Sequence, residues 1–483
     1  MNRAKHPLLI AISFSVFILL LAVQSIPAQV DDDARWDDGF GFSTSSQFPF
    51  TSVRAIAVNS SGLYVGGRAF PTDSMIVNGI VRWDGSKWSN VGGGVELCAG
   101  ICLATVYALE VKGDDLYVGG NFLYAGGAQA NKIARWDGSK WSSLGSGPVI
   151  CDRFNDCIGV EAIAISGNDV YTVGNIITDV KQGGTILNIN GFARWDGSQW
   201  SAVGGGVTGD GFSASINAIA TNGSDTYVGG NFTLAGFTGV NHIARWDGSQ
   251  WSQLGSGIDG CASCPPYVFT LATKGNDLYA GGRFNSAGAV PANNIAKWDG
   301  SSWHALGIGA NGPVYKIAFN GDDIYVGGDF TSIGGVKANG IARYDGSKWS
   351  ALGSGVNGRI QAIAFKDNEV YVGGVFTSAG GKTAYNFARW VGPAIVPPPP
   401  PPVILPKITG AEIVRKKLIV TGERFDQGAA ILLNGERQKT KNDDENPAIL
   451  LVAKKSGRKA RPGDRLRVQN PDGKLSPEFI IAQ

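Results

Sequence analysis

Histidine, on which most zinc sites and Ser-His-Asp triads depend, is scarce in this 483-residue chain. Three copies occur, and only His242 and His304 lie beyond the first 28 residues. Six cysteines fall as three close pairs: Cys98 with Cys102, Cys151 with Cys157, and Cys261 with Cys264. Only the last pair has the C-x2-C spacing of a zinc half-site, and a full site needs a second such pair. Local disulfides that clip loops are the expected use in an exported chain. Asp114, Asp115, Asp322 and Asp323 could serve a glycosidase or lyase that works without histidine, yet Gly-Asp-Asp is ordinary turn chemistry. A cation precedes an aromatic position seven times, at Arg82, Arg135, Arg194, Arg245, Lys297, Arg343 and Arg389. Like charges so arranged repel unless each is paired, so pairing with a carboxylate or carbonyl of the same or next repeat is expected, not an anion site. No catalytic residue, metal or cofactor is expected.

The elements that carry these residues form a repeat. A tyrosine followed by a strand ending in Gly-Gly recurs at Tyr64, Tyr117, Tyr171, Tyr227, Tyr279, Tyr325 and Tyr371, spaced by 46 to 56 residues. Around each, an Ala-Ile-Ala type strand (a), the Tyr-Val-Gly-Gly type strand (b), an Arg-Trp-Asp strand (c) and a strand opening on a second Trp (d) are linked by short turns. The a–b link is Gly-Asp-Asp or Gly-Asn-Asp and the c–d link is Asp-Gly-Ser, both tight hairpin chemistry. Four antiparallel strands in a period near 50 residues are the signature of a propeller blade. Seventy glycines fit many tight turns, which need positive φ.

The aromatic positions check this count independently. Position c holds Trp83, Trp136, Trp195, Trp246, Trp298, Tyr344 and Trp390; position d holds Trp88, Trp141, Trp200, Trp251, Trp303 and Trp349. The seventh repeat ends without a strand d, and Trp36 ahead of the first repeat supplies one. The fold class expected is therefore all-β: a seven-bladed β-propeller over residues 34–392, closed by an N-terminal strand so that no edge stays open. The tryptophans are expected to pack blade against blade.

A strand ending in Gly-Gly, an aromatic followed by Asp, and then Trp, in this period, resembles the kelch repeat. The form Tyr-Val-Gly-Gly, Ala-Arg-Trp-Asp-Gly-Ser, Trp-Ser, Leu-Gly is similar to extracellular kelch-like propellers related to the galactose-oxidase central domain, fungal cortical polarity markers among them. The resemblance implies the fold and raises a copper-radical oxidase. That centre requires two histidine ligands and a tyrosine cross-linked to cysteine, which His242, His304 and locally paired cysteines do not supply.

Arg3 and Lys5 precede an apolar run from Pro7 to Val23, and Ile26 and Ala28 suit the −3 and −1 positions of a cleavage site. Residues 1–28 are accordingly expected to be a signal peptide, giving a secreted, periplasmic or surface protein with no further membrane span. Residues 393–406 form a proline-rich linker expected to be extended. Residues 407–483 resemble an IPT/TIG domain, a small immunoglobulin-like β-sandwich, in Val420-Thr421-Gly422, Phe425, Asn470-Pro471-Asp472-Gly473 and Ser476. This segment is basic, with sixteen Lys and Arg against ten Asp and Glu, but the whole chain carries only +2, too little to imply nucleic acid.

The b–c and d–a connections share one face and are longest where the cysteine pairs sit. Long loops on a rigid scaffold are where binding normally resides. The expected function is recognition of an extracellular or envelope protein or a polysaccharide through that face. The alternatives are a carbohydrate-active enzyme using loop carboxylates and a purely structural envelope component.

Overall fold

The structure, a computed structural model, describes residues 32–37, 50–69, 78–98, 103–147, 159–174, 179–182, 185–209, 214–260, 265–392, 405–454 and 459–482. The expected signal peptide, five of the six cysteines (Cys102, Cys151, Cys157, Cys261 and Cys264) and most of the proline-rich linker lie outside the described residues. Among the described residues, no helix is long and apolar enough to cross a membrane. The chain divides into two units, Met1–Pro393 and Ala394–Gln483.

The first unit is an all-β propeller. Its described residues carry seven four-stranded antiparallel sheets, the first two bridged by Arg68 and Thr105. In the sixth, strands a to d are Val314–Asn320, Asp323–Gly328, Ile341–Tyr344 and Trp349–Ala351. Strand a of each sheet packs on strand a of the next, and that of the seventh, Arg359–Lys366, packs on that of the first, Phe50–Asn59. The glycine pair of strand b makes this packing possible. A Cβ on Gly373 would lie 2.2 Å from Val53 Cγ1 of the first sheet, and one on Gly374 would lie 2.0 Å from the Arg359 carbonyl oxygen of its own sheet. The first glycine admits the neighbouring sheet's aliphatic side chain; the second admits its partner strand's backbone.

Strand Trp36–Asp37 is the outermost strand of the seventh sheet, with Trp36 opposite Trp390 and Asp37 opposite Arg389. Trp36 is 1% exposed, and its indole N–H donates to the Leu352 carbonyl of the sixth sheet at 3.0 Å. The same latch recurs around the ring. Trp200 donates to Leu144 O at 2.7 Å, Trp251 to Gly204 O at 2.8 Å, and Trp303 to Leu254 O at 2.8 Å. Among the described residues, position d thus ties the second to seventh sheets each to the one before it. Position c is less covered than sequence alone suggests: Trp136 and Trp390 are buried, but Trp83, Trp195, Trp246 and Trp298 are only half-buried. Those four stack at a tilt on the d-position Trp of their own sheets, with ring centroids 5.2 to 5.5 Å apart.

One strained position repeats just ahead of strand c. Gly79, Gly340, Asn294 and Asn386 occupy it with positive φ, and so do Lys132 (φ 76°) and His242 (φ 63°). Asn294 and Asn386 each accept the amide of a phenylalanine ten residues earlier at 3.1 Å. Lys132 instead buries its ammonium against Asn121 Oδ1 at 2.6 Å, and burial pushes its pKa down to about 8. Because the folded chain binds that proton less tightly than the unfolded one, the penalty is fully present below pH 8. It fades as pH rises toward the ordinary lysine value. Lys132→Asn is expected to stabilise the propeller by about 1 kcal/mol at pH 7 and by less at pH 10, measured by urea denaturation at both. His242 carries the related cost: burial lowers its imidazole pKa, so it favours the fold above the ordinary histidine value and less as pH falls through it.

In the second unit, two four-stranded antiparallel sheets enclose one core that includes Leu418, Val420, Phe425, Ile431, Leu451 and Val468. The motif residues serve this sandwich from within. Asn470 is buried, accepts from the Asp426 amide and donates to the Arg424 carbonyl; Ser476 Oγ accepts from the Val468 amide at 2.9 Å.

Candidate functional site

Strand a has one position that the repeat does not fix. The residue before it is always Val or Ile, at most 1% exposed, and plugs the neighbouring sheet. The residue itself is Arg54, Tyr107, Glu161 or Asn217 in the first four sheets and Phe269, Tyr315 or Gln361 in the last three. At each of these positions the a–b register slips by one residue, from Val53/Ala55 in the first sheet to Ile360/Ala362 in the seventh. A β-bulge adds an unpaired residue and re-aims its side chain. All seven bulge residues line one cavity of about 440 Å³, within the range of roughly 300–1,000 Å³ typical of small-molecule sites.

The rim is divided in character. Phe269 and Tyr315 lie 5.0 Å apart between ring centroids, with Tyr267 stacked behind Phe269 at 5.8 Å. On another arc the Arg54 guanidinium sits 5.1 Å over the Tyr107 ring. Glu110 and Lys316 line the same cavity, three residues beyond Tyr107 and one beyond Tyr315, the bulges of their own strands. Burial raises the pKa of Glu110 and of Glu161, countered by the charges of Lys316 and Arg54 respectively. Burial lowers that of Lys316, countered by Glu110. Among the described residues none of these four charged groups has an ion-pair partner within 4.0 Å, and the Gln361 Oε1 acceptor is buried without a hydrogen bond.

The residues singled out from sequence lie elsewhere. Asp115 and Asp323 are not turn residues: each opens a strand b and holds a strand c cation, Arg135 and Arg343, at 2.8 and 2.7 Å. Arg194, Arg245 and Lys297 are held the same way, and Arg389 reaches both Glu369 and Asp37. Arg82, whose repeat has Gly62 in place of the carboxylate, donates to the Ser61 carbonyl at 3.0 Å. The Asp-Gly-Ser turns are self-capped. Asp84 Oδ1 accepts from the Lys87 and Ser86 amides and the Ser86 hydroxyl, which holds its pKa at about 2. Asp114 and Asp322 stand in the a–b turns, where Asp114 accepts from Ser60 and Asp322 from Lys274. His304 bonds Asp299 at 2.6 Å in its own hairpin, while His242 belongs to the preceding sheet. Cys98 is disulfide-bonded, its partner lying outside the described residues. Among the described residues no three His, Cys, Asp or Glu side chains gather.

Residues 322–347 match the profile of a domain of unknown function, DUF5122, described as a β-propeller. The chain is a β-propeller protein. No curated protein matches it in sequence. Among solved structures it is similar to the β-propeller domain of the trilobed protease from Pyrococcus furiosus, at 10% identity and TM-score 0.41, over 72% of this chain and 97% of that one. It is more loosely similar to a GH32 β-fructofuranosidase from Bombyx mori, at 9% identity and TM-score 0.24, over 94% and 91%. At those values the likeness extends to neither activity nor ligand.

Proposed function

We propose that the chain is an exported, non-catalytic recognition propeller of the kelch-like type, followed in sequence by an IPT/TIG-like domain, that binds a protein or polysaccharide through its d–a and b–c face. The observation that carries this reading is the bulge ring. Seven side chains of six residue types occupy a single repeat position whose neighbours are held to Val, Ile and mostly Ala, and all seven line one cavity. A scaffold that specifies its packing residues and varies one rim position presents a binding surface. The bulges lie near the start of strand a, the end that receives the d–a connections. The opposite end carries self-capped hairpins. The leader and the three local cysteine pairs expected from the sequence suit a protein that works outside the cell.

A second reading has one observation in its favour. Glu110 and Glu161 share the cavity, and burial raises both pKa values, as a general acid in glycoside cleavage requires. Screening the chain against polysaccharides separates the two: turnover lost in Glu110→Gln or Glu161→Gln supports the enzyme. Retention of a partner from the host's envelope, without turnover and dependent on the rim, supports recognition.

A further inference from the structure

Resting on the rim as the recognition surface, we infer that the cavity takes the neutral sugar end of a glycan. Arg54 and Lys316 are donors, Glu110 and Glu161 are acceptors, and among the described residues none of the four has an ion-pair partner. Gln361 adds an acceptor that is buried and unbonded. A buried acceptor without a partner is costly, and exposed Arg54 with half-buried Lys316, Glu110 and Glu161 brings both signs of charge to the same cavity, so a ligand that fits must offer donors and acceptors together.

A hydroxyl does both at once. The formal charges of the four groups cancel, which disfavours a net-charged ligand: an anion would answer Arg54 and Lys316 and face Glu110 and Glu161 unpaired. A free amino acid carries one charge of each sign and leaves two of the four unanswered. A ring of vicinal hydroxyls answers all of them in a space of about 440 Å³. The remaining wall, Phe269 and Tyr315 tilted 37° to each other with Tyr267 stacked on Phe269, offers apolar ring faces. A pyranose presents an apolar face of its own through its C–H bonds while its hydroxyls point sideways.

The test uses the full chain and a panel of neutral methyl glycosides and disaccharides, with glucuronic and galacturonic acids as the charged comparison, followed by saturation-transfer NMR and titration. Binding of a neutral glycoside is expected, with affinity little changed between low and high salt. That affinity should fall about tenfold in both Phe269→Ala and Gln361→Ala at unchanged melting temperature. Preference for the uronic acids with steep salt dependence would overturn the inference, as would saccharide binding that survives both substitutions. If no saccharide binds while a captured envelope protein is still lost on rim substitution, the sugar assignment fails and the recognition reading stands. If neither binds at the rim, both fail.

Discussion

Trp36→Ala is expected to destabilise the propeller by about 3–5 kcal/mol, as much as removing an internal latch such as Trp200. A two-residue strand does the work of a whole position in the repeat. Trp36 is 1% exposed, donates to Leu352 O at 3.0 Å, and lies against Gly380, whose hypothetical Cβ would sit 2.3 Å from its ring. Asp37 pairs with Arg389, which also holds Glu369. Losing the indole removes the buried area, the hydrogen bond to the sixth sheet and the cover over Trp390 together. Urea denaturation followed by near-ultraviolet circular dichroism reads the effect on both variants. A loss below about 1 kcal/mol for Trp36→Ala, beside a full loss for Trp200→Ala, would mean that the early strand is not what closes the ring.

Gly230→Ala is expected to cost about 3 kcal/mol or more. A Cβ at this residue would lie 2.0 Å from the Ser215 carbonyl oxygen and 3.0 Å from Ile216 Cα. Both are backbone atoms of strand a, Ser215–Asn222, beside the bulge that presents Asn217. No side chain can turn aside to make room, so the strand itself must move, and the rim moves with it. Gly239 is the control: nothing lies within 4 Å of its hypothetical Cβ. Gly239→Ala is expected to leave stability unchanged or raise it by up to about 1 kcal/mol, through the lower entropy of the unfolded chain. Soluble yield and the denaturation midpoint of the two variants decide the matter, and equal behaviour would contradict the close-approach account of the glycine pairs.

The strands and the closing role of Trp36 were legible because they rest on local chemistry repeated many times. Each hairpin carries its own turn residues, and each latch its own tryptophan. A shortfall of one tryptophan at position d has only one remedy in the sequence. The cation at strand c was legible as a paired group, but its partner was not: Asp115 and Asp323 sit beside a Gly-Asp turn and read as part of it. The constant offset of twenty residues in Asp115/Arg135, Asp225/Arg245 and Asp323/Arg343 is the signal that would have found them. The rim was not legible by inspection of any one repeat. A bulge residue breaks the alternation of its strand, so Arg54 or Glu161 looks like an irregularity in an apolar pattern. Only superposing the seven repeats shows that the irregularity falls at one offset every time. Glu110 and Lys316 break the pattern at single sites, and only the closed ring places them in one cavity.

With the scaffold constant and the rim variable, partners are expected to be held at the bulge ring. Replacing Arg54, Tyr315 and Gln361 together by alanine leaves every latch and every plugging Val or Ile in place. The most direct measurement is retention of envelope components by this triple variant and by the unaltered chain, immobilised at equal density, with melting temperature recorded for each. The expected result is loss of at least about nine-tenths of the retained partner with the melting temperature unchanged. Undiminished retention by the variant, or retention abolished instead by substituting Asp114 and Asp322 in the turns of the opposite face, would contradict it.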